Sequence, residues 1–280
     1  MEAVQERKSG VTERLKFELI DTFASRGASK GVEEKLRELV GFVEKLHDGQ
    51  KRADGQVHFD HLLRVARRVI RWRRYWNDWR VFHNLIRYDT YQDVALIFAA
   101  LLHDSIEDQS ERLATMFDEL SESERKKIRI LPRWKRFSPE QIKALQFLSH
   151  KYGEKVADLV AGVSIVKPSS KDTANRTEYI KGWHAHVAQI IKEKHRRLFI
   201  IKLADFVDNA TGLETIQSDK KRLALAQKYT AVYRLFVDGI GRMSSLISKD
   251  NRRVIIRTLE EAEPVAEEII KREDGRNRAQ

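Results

Sequence analysis

The sequence predicts an all-α fold on three observations. Helix-breaking residues are scarce, with 4 Pro and 13 Gly in 280 residues, while Leu, Ala, Lys, Arg and Glu are abundant. Apolar residues recur at three- and four-residue spacing along most of the chain. Alternating valine- or threonine-rich runs, the mark of half-buried strands, are missing.

Taken in order, Val11 to Phe23 reads as a charged amphipathic helix ending at Gly27. A second helix spans Val32 to Leu46, with Leu36, Leu39, Val40, Val43 and Leu46 on one face. A polar loop follows, His47 to Gly55, carrying Lys51 and Arg52 between two glycines. Asp60 is placed to cap a helix from Leu62 to Trp72, with His61 in its first turn. Ile70 to Trp79 is the most basic and aromatic patch; Trp72, Trp76 and Trp79 read as a packed face with arginines snorkelling around it, in preference to a base-stacking surface.

Val94 to Leu102 carries no charge, as expected of a helix buried on all sides. Arg112 to Leu120 continues as helix, Ser121 to Glu124 begins a connector, and the basic run Lys126 to Arg136 is expected to be exposed. Pro139 after Ser138 marks a helix start. Gly153 to Val163 packs again, and Pro168 to Thr173 is a polar loop. Leu198 to Asn209 is a nearly apolar helix, Leu223 to Phe236 an amphipathic one, and Lys271 to Gln280 a charged, frayed tail.

Composition bounds the function. The formal net charge is +11, from 53 Lys+Arg against 42 Asp+Glu, which favours polyanionic partners: a phosphorylated small molecule or nucleic acid. The absence of Cys removes disulfides, thiol nucleophiles and Cys-ligated zinc, and fits a reducing compartment. No apolar run approaches the roughly 20 residues a membrane span requires, and residues 1–10 do not read as a signal peptide, so a cytoplasmic location is expected, with no membrane partner.

Three islands carry the chemistry. The apolar run ends in Leu102-His103-Asp104-Ser105-Ile106-Glu107-Asp108, and four titratable groups at the end of a buried helix are costly unless a cation or neutral group receives them. His61 is the second island. The third is Lys202-Leu203-Ala204-Asp205, with Asn209 one turn beyond on the same side; a salt bridge to Lys202 is the plain alternative to metal ligation by Asp205. Two imidazoles and two carboxylates would leave a divalent ion near neutral and short of full coordination, open to water and substrate oxygens. Carboxylate-rich ligation suits Mn²⁺ better than a closed zinc site.

In chain order His61, His103-Asp104 and Asp205 resemble the His, His-Asp, Asp pattern of the metal-dependent HD phosphohydrolases, and most of all the hydrolase domain of the RelA/SpoT alarmone enzymes and the small alarmone hydrolases. The likeness rests on His47 to Arg52, His61-Leu-Leu-Arg-Val-Ala, Leu-Leu-His103-Asp104-Ser-Ile-Glu107-Asp108, Lys202-Leu-Ala-Asp205 with Asn209, and Val160-Ala-Gly-Val163. It implies an HD-domain helical bundle over residues 31–245, with a helical extension at 1–30 and a C-terminal helix and tail at 246–280. It also implies His61, His103, Asp104 and Asp205 as ligands of Mn²⁺ and Glu107 and Asp108 as the groups that orient water or shuttle its proton. Lys51, Arg52, Asn209 and Tyr229 would contact the nucleotide. The implied reaction removes the 3′-pyrophosphate of guanosine tetra- or pentaphosphate, (p)ppGpp. Asp208 and Thr211 depart from the His and Arg common in the third island, and the segment between His61 and His103 is longer than in compact members. Two alternatives stand beside this reading: an HD-type phosphohydrolase of another nucleotide or phosphoester, and a basic helical nucleic-acid-binding module with a silent metal site.

Overall fold

The computed structural model describes residues 2–25, 28–72, 86–166 and 173–278. Among them every regular element is helical, and extended pairing is limited to an isolated antiparallel bridge between Lys51 and Val57. The all-α expectation is met. The Trp/Arg segment beyond Trp72 and the loop before Thr173 lie outside the described residues.

The chain divides into two compact units. The first comprises the described residues of Met1–Gly49, Phe59–Arg71 and Tyr75–Lys167. It contains α1 (Glu2–Ala24), α2 (Lys30–Leu46), most of α3 (His58–Trp72), α4 (Ile86–Leu101) and α5 (Ser105–Asp108). It continues with α6 (Ser110–Asp118), α7 (Glu122–Arg125), a 3₁₀ turn (Pro132–Arg136), α8 (Pro139–Tyr152) and α9 (Glu154–Val163).

The all-round apolar run of α4 does what its composition requires: Ala95 to Leu102 are all buried, with α2 and α9 packed against α4. The face of α2 predicted from spacing is buried as a set: Leu36, Leu39, Val40, Val43 and Leu46. α8 starts where Ser138 and Pro139 say it should, with a capping box in which Ser138 Oγ accepts from Gln141 N and Gln141 Oε1 accepts from Ser138 N.

Four expectations are corrected here. α1 begins well before Val11, at Glu2. α3 starts at His58, so Asp60 sits inside the first turn instead of capping it; its Oδ1 accepts from Thr12 Oγ1 at 2.7 Å, a buried bond from α1. The connector at Ser121 closes into a one-turn helix through a second capping box with Glu124. The basic run ending at Arg136 is not simply exposed: Trp134 is completely buried, because within the turn Pro132–Arg136 its indole, flanked by Arg133, Lys135 and Arg136, is the large apolar side chain that can anchor it.

The second unit comprises the described residues of Gln50–His58, Trp72–Arg74 and Pro168–Gln280. Its helices are α10 (Thr173–Lys192), α11 (Arg196–Ala210), α12 (Asp219–Thr230), α13 (Tyr233–Arg242) and α14 (Lys249–Arg278), with a 3₁₀ turn at Leu213–Thr215. An aromatic core holds them, with Phe206 stacked on Phe236 at 4.5 Å between centroids and edge-on to Tyr233 and Tyr229.

Two further corrections fall in this unit. The helix expected over Leu223 to Phe236 is broken into α12 and α13 at Ala231-Val232, where Thr230 Oγ1 turns back to donate to Ala226 O at 2.8 Å. The tail expected to fray from Lys271 is helical to Arg278. Buried Ile255, Leu259, Ala262, Ala266 and Ile269 keep α14 against its neighbours, and i,i+4 pairs such as Arg272 with Glu268 line its outside.

Candidate metal centre

α4 ends at Leu101, and the chain turns through Leu102-His103-Asp104 before α5 begins. Leu102 N still donates to Phe98 O at 3.1 Å, and Ser105 N donates to Leu102 O at 3.0 Å, so the turn is held by backbone bonds from both sides. This geometry lets two adjacent residues work together that a continuing helix would have turned about 100° apart.

His103 is completely buried, and its Nδ1 lies 2.8 Å from Ala100 O. A carbonyl oxygen can only accept, so Nδ1 carries the proton and donates. In the neutral ring the lone pair is then on Nε2, which faces Asp104 Oδ1 at 3.4 Å. A lone pair against a carboxylate oxygen is repulsive unless the ring is protonated or a cation lies between them. From α3, His61 brings its Nε2 to 3.8 Å from Asp104 Oδ2, its ring 5.2 Å from that of His103 and tilted by 65°. One ligand atom from each of His61, His103 and Asp104 lies within 4.8 Å of the others. The donor set, two imidazole nitrogens and one carboxylate, with one histidine fixed in its tautomer by a backbone carbonyl, fits a divalent cation.

Glu107 and Asp108 follow in α5, both half-buried; the N–H groups of both donate to Asp104 O, at 3.1 and 3.0 Å. Glu107 Oε1 accepts from Ile165 N at 3.0 Å, which fixes the carboxylate to the segment after α9.

The second unit gathers the remaining predicted residues. Gln50 to His58 folds back on itself: Lys51 bridges Val57, Arg52 N donates to Gln56 O, and Gly55, at φ 80°, takes a left-handed conformation that suits glycine. The turn projects Arg52 onto α11. There Arg52 Nη1 donates to Asp208 Oδ2 at 2.7 Å and Nη2 to Asn209 Oδ1 at 2.6 Å. The Asn209 amide turns its nitrogen the other way, donating to Asp205 Oδ1 at 2.6 Å and to Asp205 O at 3.0 Å. Asp205 Oδ2 also lies 3.5 Å from Lys202 Nζ, so the salt bridge weighed from the sequence is present, though long. Asp205, Asp208 and Lys202 are all buried, which makes this a tight polar network within an apolar helix.

Tyr229 is buried against Trp183 and Phe206. Burial pushes its phenol well above the ordinary range and Asp205 pushes it further, so it is a neutral donor at any working pH. The side chain of Lys51 is exposed. The sequence reading missed Asp208 as a partner of Arg52, seeing it only as a departure from a pattern. It also missed Ile165, whose contact with Glu107 runs through a backbone N–H and leaves no residue signature.

These features define an all-α protein with a His-His-Asp constellation suited to a divalent cation. Among the described residues no helix is long and apolar enough to cross a membrane. No family model matches the chain, and no curated protein matches it.

Proposed function

We propose that this protein is a metal-dependent phosphohydrolase acting on the 3′-pyrophosphate of guanosine tetra- or pentaphosphate or a closely related nucleotide. The observation that carries the reading is the convergence of His61, His103 and Asp104 within 4.8 Å, with His103 held on Ala100 O. The resemblance of the sequence to the alarmone hydrolases supplies the substrate class, Mn²⁺ as the metal and Asp205 as a fourth ligand.

A divalent cation held by these side chains supplies Lewis-acid chemistry, acidifying water and neutralising charge on phosphoryl oxygens. The protein's own groups do the rest. Glu107 orients the attacking water and takes its proton, with Asp108 beside it as the second carboxylate. Arg52, its guanidinium held edge-on by Asp208 and Asn209, suits stacking on a purine, and the resemblance adds Asn209 and Tyr229 as further contacts to the nucleotide. Lys51, solvent-exposed, offers a charge to phosphates.

Metal analysis of the purified protein, followed by Mn²⁺-dependent turnover of a nucleotide panel, tests the reading. Release of pyrophosphate from guanosine tetraphosphate is the expected result. Release of phosphate from other nucleotides alone would move the substrate assignment to the broader phosphohydrolase alternative.

The nucleic-acid reading has one observation in its favour. Arg64, Arg67, Arg68 and Arg71 fall on one stripe of α3 at helical spacing; Arg67 is held below its ordinary range by burial and then by the charge of Arg71. Steeply salt-dependent RNA binding that Asp104→Ala leaves unchanged, in a chain without turnover, is the result that favours it.

A further inference from the structure

Glu107 has to be held in place if it is to orient water, and the residues that hold it come from a part of the chain with no evident link to the site. Its Oε1 accepts from Ile165 N at 3.0 Å. Ile165 lies just past the end of α9, where the chain has no helical hydrogen bonds left to fix it. Ser164, fully buried, anchors the inner side of this corner: its Oγ donates to Val160 O at 2.8 Å and lies 3.4 Å from His103 O. The same two residues therefore touch the backbone of a candidate ligand and the carboxylate beside it.

The outer side of the corner is held by the 3₁₀ turn. Arg136 Nη2 donates to Ala161 O at 2.7 Å and to Ser164 O at 2.8 Å, satisfying two carbonyls that the helix end leaves open. Arg133 reinforces the dock, its Nη1 3.6 Å from Asp158 Oδ2, and buried Trp134 lies between the two arginines in sequence. Desolvation and then the charge of Arg133 hold Arg136 below its ordinary range, and Glu107 acts in the opposite direction, so the two groups interact electrostatically as well as through the corner.

We infer that Arg136 is a positioning residue for Glu107: by tying Ala161 O and Ser164 O together it sets the direction of the Ile165 N–H, which in turn fixes the Glu107 carboxylate. The inference rests on the catalytic reading of Glu107 given above. Arg136 touches neither water nor substrate in this scheme. Loss of its cation releases the corner, and a carboxylate displaced by about 1 Å loses on the order of 10² in turnover.

The test has two arms. In the first, the amide resonance of Ile165 is followed by ¹H–¹⁵N NMR and its proton exchange measured without substrate. Arg136→Met should move this resonance toward the position it takes in Glu107→Gln and speed its exchange, while bound metal is retained. Arg136→Lys, which keeps a donor for at least one of the two carbonyls, should give a smaller shift, and it keeps the inference decidable if Arg136→Met does not fold. In the second arm, kcat should fall about 10²-fold in Arg136→Met with KM little changed, be largely rescued by Arg136→Lys, and fall no further when Arg136→Met is added to Glu107→Gln. An unmoved Ile165 resonance, or losses in kcat that multiply in the double variant, overturns the inference. A wild-type chain that turns over no nucleotide ends the hydrolase reading instead, and the Ile165 resonance still decides whether Arg136 controls Glu107.

Discussion

At the scale of single residues, the turn at His103-Asp104 sits where a helix buried along Ala95 to Leu102 ends and the chain changes direction. His103→Ala or Asp104→Ala is expected to abolish both bound metal and turnover, as read by elemental analysis and product release. Asp205→Ala tests the ligand assigned by resemblance, and full metal content in that variant would remove it from the set. Glu107→Ala should retain metal and lose about 10²- to 10⁴-fold in kcat, the usual worth of a general base; unchanged activity would remove its role. Arg52→Ala should raise KM about 2- to 30-fold, since a guanidinium over an aromatic face is worth about 0.5–2 kcal/mol. His103 and Asp104 stood out in the sequence because charge is conspicuous where an apolar run ends. The pairing of Arg52 with Asp208 was not: its partners are 156 residues apart, and neither has a local reason to choose the other.

At the scale of elements, helix lengths and ends follow local rules wherever a cap or breaker is present, and tertiary packing elsewhere. Ser138 and Pro139 fixed the start of α8 from sequence alone, and Ser138→Ala should cost about 1 kcal/mol in chemical denaturation. The break between α12 and α13 has neither Gly nor Pro to announce it, so a single helix was the natural expectation. α14 outlasts its expected end because buried positions recur to Ile269 and ion pairs support the turns around it. Gly239 on α13 has a packing role invisible to periodicity: a Cβ there would lie 2.6 Å from the Phe199 ring of α11. Gly239→Ala is therefore expected to lower stability by about 1–3 kcal/mol through overpacking, despite its better helix propensity; an increase in melting temperature would contradict this.

At the scale of the whole molecule, the two units divide the predicted residues between them, His61, His103, Asp104, Glu107 and Asp108 in the first, and Arg52, Asp205, Asn209 and Tyr229 in the second. A cation that binds the folded chain and not the unfolded one adds about 2.7 kcal/mol at a hundred times its Kd, so Mn²⁺ should raise the melting temperature by several degrees and a chelator reverse it. No shift in the wild-type protein, or the same shift in Asp104→Ala, would count against the metal centre. The amino-acid sequence by itself determined that the chain is helical, which helix is buried on all sides and that His103 and Asp104 stand at its end, because periodicity and charge are properties of neighbouring residues. Only the tertiary structure decided that Asp60 answers Thr12, that Asp208 and Asn209 clamp Arg52, and that Arg136 reaches the corner holding Glu107. Those bonds join residues far apart in the chain, often through backbone groups that every residue shares, so no side-chain pattern could announce them.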